Sequence, residues 1–150
     1  MIIAAPLTEL VPVLQLSIGP VILISGVGLL LLTLTNRFGR MLDRARLIKR
    51  EMDASPEGAQ VGNLQAQIDI LVTRARILRL SITLSSVTVL LVGILILVLF
   101  LSGLFKWEDG ILIVVLFSLA ILSLIGSIVA FIRDMNLALS AVWLEIGRDR

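Results

Sequence analysis

Hydroxyls and arginines are the side chains in this chain that could do chemistry, because the usual catalytic alternatives are missing. Cys, His and Tyr are all absent from its 150 residues. That excludes disulfides, thiolate nucleophiles, imidazole metal sites and the commonest general base at neutral pH. Carboxylates remain. However, no two acids lie in or beside one apolar segment at a spacing that would pair them, so the expectation is a protein that is not an enzyme, with no cofactor and no metal.

The hydroxyls and other small residues are patterned. Ser81, Ser85 and Thr88 share one helical face, with Thr83, Ser86 and Gly93 beside it. Ala120, Ser123, Ser127 and Ala130 follow a three-four-three spacing next to Gly126, and Ser25, Gly26 and Gly28 form a third small patch. In lipid, where apolar burial gives helices no reason to associate, such stripes are read as helix-packing faces. The other reading is a wet path lined by the hydroxyls. Ser and Thr can also bond back to their own helix, which would leave the stripe without a partner. Small faces on every apolar segment exceed what one three-helix bundle needs, which points to a homo-oligomer.

The arginines concentrate at one level. Asn36, Arg40 and Arg44 recur every fourth residue, next to Arg37 and with Asp43 in reach of Arg40 or Arg46. Arg79 precedes the second apolar run, and Arg133 and Asp134 follow the third. Two readings stand: arginines snorkelling to lipid headgroups, or a charge ring at the cytoplasmic boundary that pairs across helices and biases ion passage.

The elements that position these groups are legible from charge. Leu10–Asn36, Leu80–Phe105 and Ile111–Ile132 contain no Asp, Glu, Lys or Arg. Each is longer than the ~20 residues a helix needs to cross a bilayer. Hydrophobic residues make up 58% of the chain and the mean hydropathy is +1.08, well into the membrane range. The expected fold is an all-α membrane protein with transmembrane helices at about 14–36, 80–104 and 111–132. Met1–Val13 carries no Lys or Arg, so it lacks the basic start of a signal peptide. Arg37–Arg79 holds Arg37, Arg40, Arg44, Arg46, Lys49, Arg50, Arg74, Arg76 and Arg79. By the positive-inside rule that segment is cytoplasmic, the N-terminus and Phe105–Gly110 are outside, and the C-terminus is inside, with Trp107 as an outer interfacial anchor.

The basic segment has its own period. Phe38, Met41, Ala45, Ile48 and Met52 advance by three and four, as do Val61, Leu64, Ile68, Leu71, Ala75, Leu78 and Ile82. This predicts an antiparallel, coiled-coil-like hairpin over 37–79 between the first and second spans. Its break falls at Asp53–Gly58, where Ser55 can cap a helix beginning with Pro56, or the return helix starts at Asn63. Pairing Met52 with Val61 sets Asp69 against Arg44 as a register pair. The charge of the hairpin suits a topology signal with solvated faces, or docking of a cytoplasmic protein or anionic lipid. Nucleic acid is not expected, since acids are interspersed and Phe38 is the lone aromatic. Residues 134–147 read as a further helix, continuing span three or lying on the inner interface, with Trp143 as anchor and a frayed end at Gly147–Arg150.

The run Leu32-Thr-Leu-Thr-Asn-Arg-Phe-Gly-Arg-Met-Leu-Asp-Arg-Ala-Arg46, after Ile18-Gly-Pro-Val-Ile-Leu-Ile-Ser-Gly-Val-Gly28, resembles a bacterial family of small integral membrane proteins known as domain of unknown function 2721. The resemblance covers most of the chain and is most specific over Asn36–Arg46. It implies three membrane helices and no assigned activity. Together these readings lead to a homo-oligomeric protein of the bacterial inner membrane in contact with membrane lipids. A pore or ion channel is the first functional expectation, and a structural or adaptor role the second.

Overall fold

Three α-helices make up the computed structural model, which describes residues 7–54, 59–105 and 110–148, with side chains described for 11–12, 15–54, 62, 64–105 and 110–138. They are α1 (Leu7–Ala54), α2 (Ala59–Phe105) and α3 (Gly110–Arg148). All three are long and apolar enough to cross a membrane. The expected cap at Ser55, the turn at Pro56 and the Trp107 anchor lie outside the described residues, as does the Trp143 side chain.

Each helix outruns its uncharged stretch. Pro12 and Pro20 sit inside α1 without ending it. A missing donor is tolerated in an apolar helix when neighbouring groups and local adjustments satisfy the freed carbonyl. α1 continues through Asp53 and Ala54, so the break expected from Asp53 begins later. α3 runs unbroken past Asp134 and includes Gly147 and Arg148; residues 134–147 therefore continue span three and do not form a separate interfacial helix.

The chain divides into two compact units. The first takes Met1–Leu31 and Leu84–Ile125, the second Leu32–Thr83 and Gly126–Arg150. In the first unit the buried side chains are Val27 of α1, Ser85, Thr88, Val92 and Leu95 of α2, and Ala120 of α3. In the second they are Leu34, Met41 and Ile48 of α1, Leu71, Leu78 and Ser81 of α2, and Ser127, Ala130 and Asp134 of α3. Leu34, Met41 and Ile48 are seven residues apart, as are Leu71 and Leu78, and Ser127 and Asp134. A seven-residue repeat of inward positions keeps one seam of a helix facing its partner helices. The apolar positions read from the basic segment are the inner ones wherever a side chain is described: Phe38, Ala45, Met52, Leu64, Ile68, Ala75 and Ile82 are partly covered, and Met41, Ile48, Leu71 and Leu78 buried.

Outward positions of the apolar stretches carry bare hydrocarbon. Leu16, Ile22, Leu29, Leu90, Leu97, Val114 and Leu122 are at least half exposed, as a surface solvated by lipid requires.

Candidate functional site

The expected charge ring contracts to a three-residue cluster in the second unit. Asp134 is 0% exposed. Arg37 of α1 brings Nε to 3.1 Å from Oδ2 of Asp134, and Arg74 of α2 donates from Nε to Oδ1 at 3.3 Å. The two arginines retain 24% and 17% of their side-chain exposure. One carboxylate on α3 thus ties α1 and α2 to the same point. The Arg37 Nε–H is not aligned on Oδ2, so that oxygen has ion-pair contact without a formed hydrogen bond.

Arg37 is held from two further directions. Its Nη1 donates to the Met135 thioether sulfur, and its guanidinium lies over the Phe131 ring, 5.6 Å from the centroid. A cation on an aromatic face gains about 0.5–2 kcal/mol, more as water is excluded. Arg37 is therefore fixed on the α3 side of α1. It does not reach freely toward solvent.

The rest of the expected ring does not join it. Asn36, Arg40, Asp43, Arg44, Arg79 and Arg133 are all exposed. Asp43 pairs with Arg46 at 3.5 Å across i, i+3, with both side chains 74% exposed. Among the described residues no ion pair links Arg44 to Asp69, both of them exposed. Two solvated charges gain less than about 1 kcal/mol by meeting and must give up side-chain freedom to do so. Arg74, absent from the expected ring, had a signal in the spacing: it lies seven residues before Ser81, as Asp134 lies seven after Ser127.

That serine pair is the second feature. Ser81 Oγ donates to the Ser127 carbonyl at 2.8 Å and Ser127 Oγ to the Ser81 carbonyl at 2.8 Å, with the two hydroxyls 3.1 Å apart. Moving from Arg74 to Ser81 on α2, the α3 partner moves from Asp134 to Ser127. The two helices therefore run antiparallel in fixed register. In the first unit the sense is the same: Ser123 Oγ donates to the Leu84 carbonyl at 2.9 Å, and Thr88 Oγ1 approaches the Ala120 carbonyl at 3.4 Å while bonding Leu84 on its own helix at 3.0 Å. Ser81, Ser85, Thr88 and Ser127 are 0% exposed. Small side chains let the backbones approach until a hydroxyl reaches the opposite carbonyl.

The α1 patch behaves differently. Ser25, Gly26 and Gly28 are exposed, and a Cβ built on Gly19, Gly26, Gly28 or Gly93 would meet nothing within 4 Å. Close approach of another element at these glycines, expected from their size, does not occur among the described residues. Ser25 satisfies itself on the Val21 carbonyl at 3.4 Å, as Thr83 does on Arg79 at 2.9 Å.

Two outcomes check this geometry. Replacing Asp134 with Asn leaves two part-buried guanidiniums without a counter-charge and is expected to cost about 3–5 kcal/mol. Arg79→Gln, at an exposed arginine, should stay within about 0.5 kcal/mol; unfolding midpoints in mild detergent give both, and equal losses would restore the ring. Ser81→Ala and Ser127→Ala, measured singly and together, should show a coupling of about 0.6 kcal/mol, the average for such contacts in membranes. Strict additivity would mean the hydroxyl pair contributes nothing.

No curated protein and no solved structure matches the chain significantly. A family model does, over residues 17–144, a stretch containing Arg37, Arg74, Asp134 and both serines of the pair. By that match, which covers most of its length, the chain belongs to the family described as Protein of unknown function (DUF2721).

Proposed function

We propose that this protein is a non-enzymatic membrane anchor whose extended helical part presents a docking surface in the cytoplasm. One observation carries the reading: the buried polar groups are spent holding the chain's own helices together. Ser81, Ser85, Thr88 and Ser127, the hydroxyls that would line a conduction path, are enclosed, so they offer nothing to an axis between copies. The long helices supply the docking surface. From Arg37 to Ala54, α1 extends about 27 Å at 1.5 Å per residue, and the excess of arginines there supports an inward orientation. On the same charged stretches Leu47, Ile70 and Val72 remain about half exposed, and Leu42 is 38% exposed. These apolar side chains among charged ones are open to contact with a protein or interfacial lipid partner.

A pore in a homo-oligomer of the bacterial inner membrane is the second reading. It now rests on the exposed Ser25, Gly26 and Gly28 face of α1, which would have to meet its copy in another chain. Vesicle flux separates the two. The anchor predicts no ion or small-solute permeability above protein-free vesicles at any voltage; a current altered by Ser25→Leu would favour the pore. Orientation is tested independently, because the chain has no cysteine to remove. A cysteine placed at Lys49 should resist an impermeant thiol reagent in intact cells and react after lysis. Labelling in intact cells would overturn the inward hairpin.

A further inference from the structure

We propose that the flank of α1 bordering α3 at the Arg37 level binds the phosphate headgroup of an acidic phospholipid, which gives the anchor reading above a specific lipid partner. The charge count comes first. Two arginines face one buried carboxylate, so the cluster Arg37–Asp134–Arg74 retains a net positive charge in a place largely closed to water. Such a charge calls for a counter-anion. Among the described residues Nη2 of Arg37 has no bonding partner, since Nε faces Asp134 and Nη1 faces Met135.

Position comes second. At 100° per residue, Arg37, Arg40 and Arg44 fall within about 60° of arc on one flank of α1. The contacts of Arg37 with Phe131 and Met135 fix that flank as the one bordering α3. Arg40 and Arg44 are exposed and, among the described residues, make no ion pair, Asp43 pairing with Arg46 instead. Three guanidiniums therefore share the flank of α1 that borders α3, along about 10 Å of helix that begins just past Asn36, the last residue of the uncharged run. Ile132, two residues before Asp134 on the apolar side of the cluster, is 51% exposed and supplies hydrocarbon surface for an acyl chain. A phosphodiester matches the fork of an arginine, and a guanidinium already oriented by its neighbours loses little freedom on binding it.

The test is native mass spectrometry of the full chain in detergent, offered phosphatidylglycerol and phosphatidylcholine with identical acyl chains. The native chain should retain phosphatidylglycerol preferentially. Arg40→Gln with Arg44→Gln should lower that preference about tenfold, while Arg76→Gln with Arg79→Gln, the same charge loss on α2, should leave it unchanged. Equal loss in both double variants would mean diffuse attraction, and no loss in the first would remove the site; either overturns the proposal. Displacement of the lipid by excess inorganic phosphate would also overturn it, by making the ligand a soluble anion. None of these results bears on vesicle flux or on the side that Lys49 faces, so the anchor reading is judged separately.

Discussion

A carboxylate with no access to water is the constraint from which the second unit is organised. Asp134 could not be buried alone, since the desolvation of an unpaired charge exceeds anything the surrounding apolar contacts return. Arg37 and Arg74 make its burial tolerable, and they come from the two other helices. The pairing fixes which way α1 and α2 must be rotated for both guanidiniums to reach one carboxylate. Apolar seams alone leave that choice loose, because leucine meets leucine with little loss when a helix turns or slides by a residue. What the geometry shows of the cluster is orientation, two guanidiniums from different helices aimed at one carboxylate.

The serine pair extends the same logic into uncharged sequence. Ser81 and Ser127 each accept on a backbone carbonyl and donate from a hydroxyl, so neither helix can shift along its axis without breaking both bonds. A hydroxyl between helices in lipid is worth little energetically. Its directionality still sets register where van der Waals packing would not. Ser81, Ser85, Thr88, Ala120 and Ser127 of α2 and α3 therefore act inside the chain, where they are buried. On α1 Ser25, Gly26 and Gly28 remain uncovered, as Thr83, Ser86 and Gly93 do on α2.

Arginines at one membrane level also divide by environment. Arg37 sits against a carboxylate, a thioether and an aromatic ring, whereas Arg40, Arg44, Arg79 and Arg133 are exposed. The first kind is structural and oriented; the second is free to meet a ligand or a headgroup. One oriented guanidinium and two exposed ones thus share a flank of α1.

The number of apolar helices and the covered positions of the basic segment were determined by sequence, because hydrocarbon thickness and helical period act on each segment locally. Phe38, Met41, Ala45 and Ile48 show this, since their spacing alone assigns them to the covered side. Membership of the family was likewise legible in the Asn36–Arg46 run. Which charge would be buried was not. Asp134 and Arg133 are neighbours of opposite sign at the end of the same helix, and only the rotation of α3 against α1 and α2 sends one inward and leaves the other outside. Arg74 over Arg79 was decided in the same way, as was the closure of the hydroxyl stripe against α3 and not around a channel. These are matters of helix rotation and register, set by contacts between residues distant along the chain, and a one-dimensional pattern carries them only as a choice of faces.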